Sequence, residues 1–270
     1  NSVWEANTES MVTDLRTADL IHLRDSTSRQ ALPADVAATV TPDMSIQLFM
    51  EITRKGDFPQ PRVPIGVMDS VLPASSKVLL DFAEEEGLPF YAMPAGNLRV
   101  LRTDIAARSG PVRPHLLQVT DVMGAQAWVT GRLHGLIAAL CAGLPVCALS
   151  SNTSKIEGLL NDAGIADACL LGASWMDAPT SKKREILAEK LEMQKTPDFI
   201  ERRDNFLDGA RKQIDNMFDQ TAALAFDTSP TVHMPQVSAL SVVEVSWSAR
   251  TSQRVKALGK KIKSFVSPRN

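Results

Sequence analysis

Cysteine is scarce: the chain of 270 residues carries three, Cys141, Cys147 and Cys169. Their spacing matches no metal-ligand pattern, and an odd count argues against a disulfide framework. Cys141 and Cys147 fall in apolar runs, where a reduced thiol behaves as a small hydrophobe, so the cysteines are expected in the core. Long apolar runs are missing as well. No stretch of about eighteen apolar residues occurs, so the sequence offers no membrane-spanning helix. The opening Asn1-Ser2-Val3-Trp4-Glu5 has neither a basic start nor an apolar run, so it does not read as a signal peptide. A large charge excess is absent too: the formal charge is −2 and the pI about 6.1, which gives no nucleic-acid signature. Three catalytic signatures are also missing, namely the Gly-x-Ser-x-Gly elbow, the Gly-x-x-x-x-Gly-Lys phosphate loop and a Gly-x-Gly-x-x-Gly turn.

What is present is an apolar fraction of 44%, ample for a core. Its most ordered stretch runs from Ala127 to Gly164, AWVTGRLHGLIAALCAGLPVCALSSNTSKIEGLLNDAG. Ala127 to Thr130 reads as an apolar strand and Gly131 as a turn. Arg132-Leu133-His134 opens a helix whose Leu136, Ile137, Leu140 and Cys141 recur at helical spacing. Gly143 stands where a left-handed cap is wanted, and Pro145 follows where a helix cannot continue. Val146 to Leu149 reads as a second buried strand. Lys155 to Leu160 begins another amphipathic helix, closed by Gly164.

This layout points to an anion. A helix start carries unpaired N–H groups and the positive end of the dipole, so it attracts phosphate or carboxylate. Arg132 and His134 on that same turn are unfavourable unless negative charge offsets them. Each alone also fits a plain part, Arg132 as a solvated charge and His134 as a hydrogen-bonded core histidine. Together, beyond the carboxyl end of an apolar strand, they mark a candidate site.

The run GRLHGLIAALCAGLPVCALS, followed by Lys155, closely resembles the C-terminal half of polysaccharide pyruvyl transferases, and the likeness extends upstream to ADLIHLRDSTSRQAL at Ala18 to Leu32. Enzymes of that family attach pyruvate, from phosphoenolpyruvate, as a ketal across two sugar hydroxyls. The resemblance covers roughly Ser2 to Gly164. It implies an α/β fold of two Rossmann-like halves, as in GT-B-type transferases, with a helical C-terminal extension. The family's Gly-Asn turn after a first strand is not found, and the chain opens on helix-like residues without an initiator methionine. The N-terminal half is therefore expected to be incomplete and the chain part of a longer protein. The expected division is 1–58 for the remainder of that half, 59–176 for the C-terminal half, 177–227 for packing helices, and 228–270 for a linker and basic tail.

Along the chain, Asn7 to Arg16 reads as a helix with Met11, Val12 and Leu15 inward, and Ala18 to Leu23 as a strand. Arg24 lies beyond that strand's end, as Arg132 does beyond its own, which makes it the second anion-binding candidate; a surface charge paired with Asp25 is the competing reading. Asp25 or Ser26 can cap the next helix. Val36 to Val40 reads as a strand leading to Thr41-Pro42-Asp43, where Asp43 fits both a cleft-lining residue and a turn-former. Gly56 to Pro64 is the linker candidate. Val63 to Met68 reads as a strand with Asp69 and Ser70 at its carboxyl end, Ser75 as the cap of a helix from Lys77 to Glu86, and Pro89 to Met93 as the next strand. Arg99, Arg102, Arg108 and Arg113 lie on a basic loop, read as solvated. His115 to Gln126 reads as a helix, Ala168 to Leu171 as a short strand with Trp175 below it. Thr180 to Gln194 and Pro197 to Leu224 are strongly helical, the second carrying Phe199, Ile200, Phe206, Leu207, Ala210, Ile214 and Met217 at helical intervals, the pattern of a packing helix.

The expected activity is transfer of pyruvate from phosphoenolpyruvate to a saccharide or lipid-linked oligosaccharide acceptor. On this reading Arg132 and Arg24 hold the donor's anionic ends, His134 is the general acid, and Lys155 meets the leaving phosphate. Ser151 and Asp69 complete the substrate-binding set. No metal or cofactor is called for, with phosphoenolpyruvate as donor substrate. A nucleotide-sugar glycosyltransferase of the same fold, and a non-catalytic saccharide-binding remnant or partner subunit, are the alternatives. Past Asp227, Thr228 to Ser248 reads as a linker. Residues 250–270 then hold seven basic and no acidic side chains, leaving 22 basic against 31 acidic in the rest, so the body is about −9 and the tail +7. Val255, Leu258, Ile262 and Phe265 give that tail one apolar side, suited to an anionic membrane surface, where each Lys or Arg is worth about 1 kcal/mol; a solvated tail fits equally. The expected location is cytoplasmic, at or near the inner membrane face.

Overall fold

Parallel strands form the centre of the structure. The computed structural model describes residues 11–55, 63–91 and 124–226. Their elements run β1 (His22–Leu23), α1 (Ser26–Gln30), β2 (Thr39–Val40), α2 (Ser45–Lys55), β3 (Val63–Ser70), α3 (Pro73–Glu86), β4 (Phe90–Tyr91), β5 (Ala125–Gly131), α4 (Leu133–Cys141), β6 (Val146–Leu149), α5 (Lys155–Asp162), α6 (Ala166–Cys169), β7 (Leu170–Leu171), α7 (Ala173–Asp177), α8 (Thr180–Met193) and α9 (Pro197–Phe226). This is a mixed α/β fold. Among the described residues, no helix is long and apolar enough to cross a membrane.

The main sheet has the order β4-β3-β5-β6-β7, with every neighbouring pair parallel. Its strands read as near-continuous apolar runs because both faces are covered. Alternate residues serve alternate cores. Met68, Trp128, Val146 and Ala148 face one cluster with Leu136, Leu140, Ile156, Phe199, Leu207 and Ile214. Val67, Val129, Cys147 and Leu149 face the other, with Leu79, Phe82, Trp175 and Leu187. In this order the chain leaves β3 in one direction to β4 and in the other to β5, so the β3–β5 pair is the switch point where crevices form. β1 and β2 form a separate parallel pair, His22 opposite Thr39 and Leu23 opposite Val40. Gln194, just past α8, is buried and holds the Val146 backbone through both N–H and C=O, at 2.8 and 3.0 Å.

Several boundaries differ from the sequence reading. The expected strands at Ala18 to Leu23 and Val36 to Val40 contract to β1 and β2, each of two residues, while the strand expected at Pro89 to Met93 begins at Phe90 as β4, with positions 92 and 93 outside the described residues. The helix expected from Lys77 opens at Pro73, whose fixed φ and missing N–H suit a first turn. Ser75 is therefore no cap but a buried residue of α3, and Leu72 holds the cap position. Ala125 and Gln126, expected to end a helix, start β5 and pair alongside Val63. Ala168 and Cys169 belong to α6, leaving Leu170–Leu171 as the strand, with Trp175 buried against Leu171. Met11 and Ile200, expected inward, are exposed. Ala127 to Leu160 keeps the expected strand–helix–strand–helix order, and Gly143 and Gly164 both take positive φ after their helices. The linker residues 56–62, the basic loop, His115, and everything from 227 onward lie outside the described residues.

Two features of this core give measurable outcomes. Burial pushes the thiols of Cys141 and Cys147 up from 9.0 to about 12, outweighing the nearby positive charges of Arg203 and Lys190. Above pH 9 the unfolded chain sheds thiol protons that the folded chain keeps, so stability falls as pH rises from 9 toward 12. Each thiol contributes a slope of up to about 1.4 kcal/mol per pH unit. Urea midpoints measured for wild type and Cys147→Ala should keep a constant gap below pH 9 and converge above it; curves that stay parallel above pH 9 would show the thiol to be uninvolved. Gly209 lies inside α9, and a Cβ placed there would meet no atom within 4 Å. A helix-interior glycine costs about 1 kcal/mol relative to alanine. Gly209→Ala should therefore raise the melting temperature by about 2–4 °C in calorimetry.

Candidate functional site

The tips of β1, β3 and β5 and the turn after β2 carry most of the polar residues singled out in the sequence. Arg132 occupies the N-cap of α4, directly after β5, without making a side-chain cap. Its backbone N–H donates to Thr130 Oγ1 at 3.0 Å, and its carbonyl accepts the first helical bond from Leu136. Two glycines let this turn sit where it does. A Cβ on Gly131 would lie 2.3 Å from Ser70 Cβ, and one on Gly135 would lie 2.5 Å from Met68 Sδ. β5 and α4 thus press directly on the end of β3.

Asp69 meets Arg132 at that contact. The β3–β5 register shifts between Val67 and Ser70, a bulge-like irregularity of the kind that re-aims a side chain. Arg132 donates from Nε to Asp69 Oδ1 at 2.8 Å and from Nη2 to Oδ2 at 2.6 Å, a bidentate pair. Arg132 is 9% exposed and Asp69 1%. Asp69, expected among the substrate contacts, therefore lies beneath Arg132 and orients it. This carboxylate also supplies the negative charge that an arginine at a helix start requires.

His134, two residues on, points outward, its side chain 45% exposed. Its Nε2 lies 3.9 Å from Asp43 Oδ2. Arg24 Nη1 approaches that same oxygen at 3.7 Å, and its Nε lies 3.8 Å from Asp25 Oδ2. The structure therefore brings Arg24 and His134, 110 positions apart in sequence, to one carboxylate oxygen. These separations are ion pairs too long for hydrogen bonds. Arg24 Nε is buried and, among the described residues, has no hydrogen-bond partner. A buried guanidinium N–H without an acceptor is costly, and the nearby carboxylate of Asp25 offsets its charge without closing a hydrogen bond. Asp43 forms the turn opening α2, where Oδ1 accepts from Ser45 N at 3.0 Å, while Oδ2 faces Arg24 and His134. Asp25 is 2% exposed and caps α1, accepting from Ser28 N at 2.7 Å.

Ser151 and Lys155 belong to the next connection. Ser151 Oγ donates to Asn152 Oδ1 at 3.2 Å in the β6–α5 loop. Lys155 opens α5 half-buried, and among the described residues its ammonium has no ion-pair partner. The first turns of α5 back onto β1's tip, since a Cβ on Gly158 would stand 3.0 Å from Asp25 Cγ. Ser26 N donates to Asp162 at 2.9 Å at the other end of α5.

Sequence reasoning names Gly131 as the turn but passes over Gly135 and the hydroxyl of Thr130, which help to set it under Arg132. A small residue on either side of an arginine at a strand-to-helix turn is the signal that could have found them. No protein-family model matches the chain, and comparison with curated proteins finds no matching relative.

The Asp69–Arg132 pair has a direct stability consequence. Removing one partner of a buried pair leaves an uncompensated charge and costs about 3–5 kcal/mol. Asp69→Ala should lower the urea-derived stability by that amount. A loss under about 1 kcal/mol would mean that water already reaches the guanidinium.

Proposed function

We propose that this chain transfers the pyruvyl group of phosphoenolpyruvate to two hydroxyls of a saccharide, forming a ketal and releasing phosphate. The observation that carries the reading is Arg24, whose buried Nε lacks a hydrogen-bond acceptor among the described residues, beside His134 on a shared carboxylate. A donor with a phosphate and a carboxylate on one three-carbon frame needs separated cations and an acid beside its terminal methylene. Arg24 and the α4 turn supply the cations, with Arg132 held in orientation by Asp69. Lys155 stands one connection away, ready for the departing phosphate. The finer architecture that goes with this reading is two Rossmann-like halves of GT-B type. The five-stranded sheet is the C-terminal half, and β1, β2 and α2 belong to the other.

In the proposed reaction His134, as imidazolium, gives its proton to the methylene carbon of phosphoenolpyruvate. The central carbon becomes electrophilic, and a sugar hydroxyl adds to it, returning a proton to the imidazole. The C–O bond to phosphate then breaks, and a second hydroxyl closes the ketal, its proton passing to the departing phosphate, which leaves as hydrogen phosphate. Asp43 Oδ2 lies 3.9 Å from the imidazole that the first step uses. The reaction belongs on the cytoplasmic side of a membrane. There the basic stretch 250–270 meets anionic headgroups and lipid-linked acceptors gather.

Phosphate release from phosphoenolpyruvate, measured with a saccharide acceptor panel, tests the proposal; nucleoside diphosphate release from nucleotide sugars is the contrasting assay. His134→Ala should lower the rate at least 10²-fold, the usual worth of a general acid, with the melting temperature unchanged. Full activity in that variant removes the imidazole from the mechanism, and turnover of nucleotide sugars alone replaces the reading with glycosyl transfer.

A further inference from the structure

Away from the cationic cluster, a cavity of about 360 Å³ opens between α9, the end of α5 and the β1–β2 pair. That volume lies toward the lower end of the usual range for small-molecule pockets. Its polar lining comes from Ser26, Asp162, Asn205 and Gln213, and its apolar lining includes the ring of Phe206 and the bare backbone of Gly209. None of the described lining residues is basic, and the one charged group is the Asp162 carboxylate, already accepting from Ser26. The chemistry is the opposite of the Arg24 site: amides, a hydroxyl and a carboxylate around an apolar face.

We infer that this cavity seats an uncharged sugar ring. Carboxamides both donate to and accept from ring hydroxyls, a carboxylate accepts from them, and an aromatic ring offers an apolar surface to the C–H face of a pyranose. An acidic sugar or a phosphorylated one would face the Asp162 carboxylate with no cation to offset it. Gly209 supplies the second, independent observation. A glycine in the interior of a long helix weakens it, and here no neighbouring atom occupies the space that a side chain would take. Packing does not require glycine at that position, and the open space beside its backbone belongs to the cavity.

The cavity also adjoins the proposed reaction site. Pro42 lines it while the next residue, Asp43, holds Arg24 and His134, and Ser26 lies two residues past Arg24. On the pyruvyl-transfer reading, on which this assignment of role rests, the bound ring is part of the acceptor, and the acceptor unit at this position carries no charge.

Saturation-transfer NMR on the full chain tests the inference. The probes are the methyl glycosides of glucose, galactose and mannose, with methyl glucuronoside as the charged control. At least one neutral glycoside should receive saturation, and the glucuronoside at least fivefold less. Gly209→Trp, which fills the cavity, should cut the signal at least tenfold. Asn205→Ala combined with Gln213→Ala, both at exposed positions, should do so at least fivefold even if the tryptophan variant fails to fold. Absence of signal from all three neutral glycosides, equal signal from the glucuronoside, or undiminished signal in the folded variants overturns the inference. Phosphoenolpyruvate consumption measured on the same samples separates the two readings. Sugar binding that depends on Gly209, without consumption, keeps the cavity and removes the reaction. Consumption that is indifferent to Gly209→Trp keeps the reaction and removes the cavity.

Discussion

One buried ion pair organises the upper edge of the sheet. Asp69 ends β3, Arg132 follows β5, and their two hydrogen bonds join the strand tips at the switch point. Taking both charges out of water is expensive, and well-packed apolar residues would serve stability as well or better. What the pair supplies instead is placement. A bidentate fork tolerates little rotation, so it fixes the start of α4 and with it the direction in which His134 leaves the helix. Gly131 and Gly135 are the steric half of the same constraint, because any larger residue would force α4 away from β3 and lengthen both bonds.

How much of this was legible depended on how far apart in the chain the deciding residues lie. The stretch from Ala127 to Gly164 was read almost as it stands, because its punctuation is local. Glycine at 143 and 164, proline at 145 and apolar runs between them each act within one turn. Arg132 and His134 were recognised from the same neighbourhood. Arg24 was placed by analogy with Arg132, and the structure does bring it beside His134. The partner of Arg132 was not legible. It lies 63 residues upstream, and nothing in the spacing of Asp69 tells a cleft residue from a buried counter-ion.

The other misreadings share a cause. β1 and β2 each have two residues, too few for an alternation to be visible, so flanking apolar residues make them read longer than they are. The start of β5 was taken into a helix because Gln126 between Ala125 and Ala127 suits either period. Met11 and Ile200 were assigned inward on spacing alone, and tertiary packing left them outside. The cavity beside α9 could not be seen at all. Its lining comes from four separated stretches, and only Gly209, a helix glycine without a turn to explain it, hinted at it.

Asp43 carries a last consequence. An anion arriving at Arg24 and His134 finds a carboxylate already facing both, at 3.7 and 3.9 Å. Binding is thus an exchange of one negative neighbour for another, and the net gain is smaller than for a bare cationic pocket. On the proposed pyruvyl transfer, the same rivalry would work in reverse once inorganic phosphate had formed. On that proposal the resident carboxylate would reclaim Arg24 and His134 as the product departed, so that the site would shed its spent anion instead of trapping it. A built-in competitor of this kind sacrifices tight capture for rapid clearance.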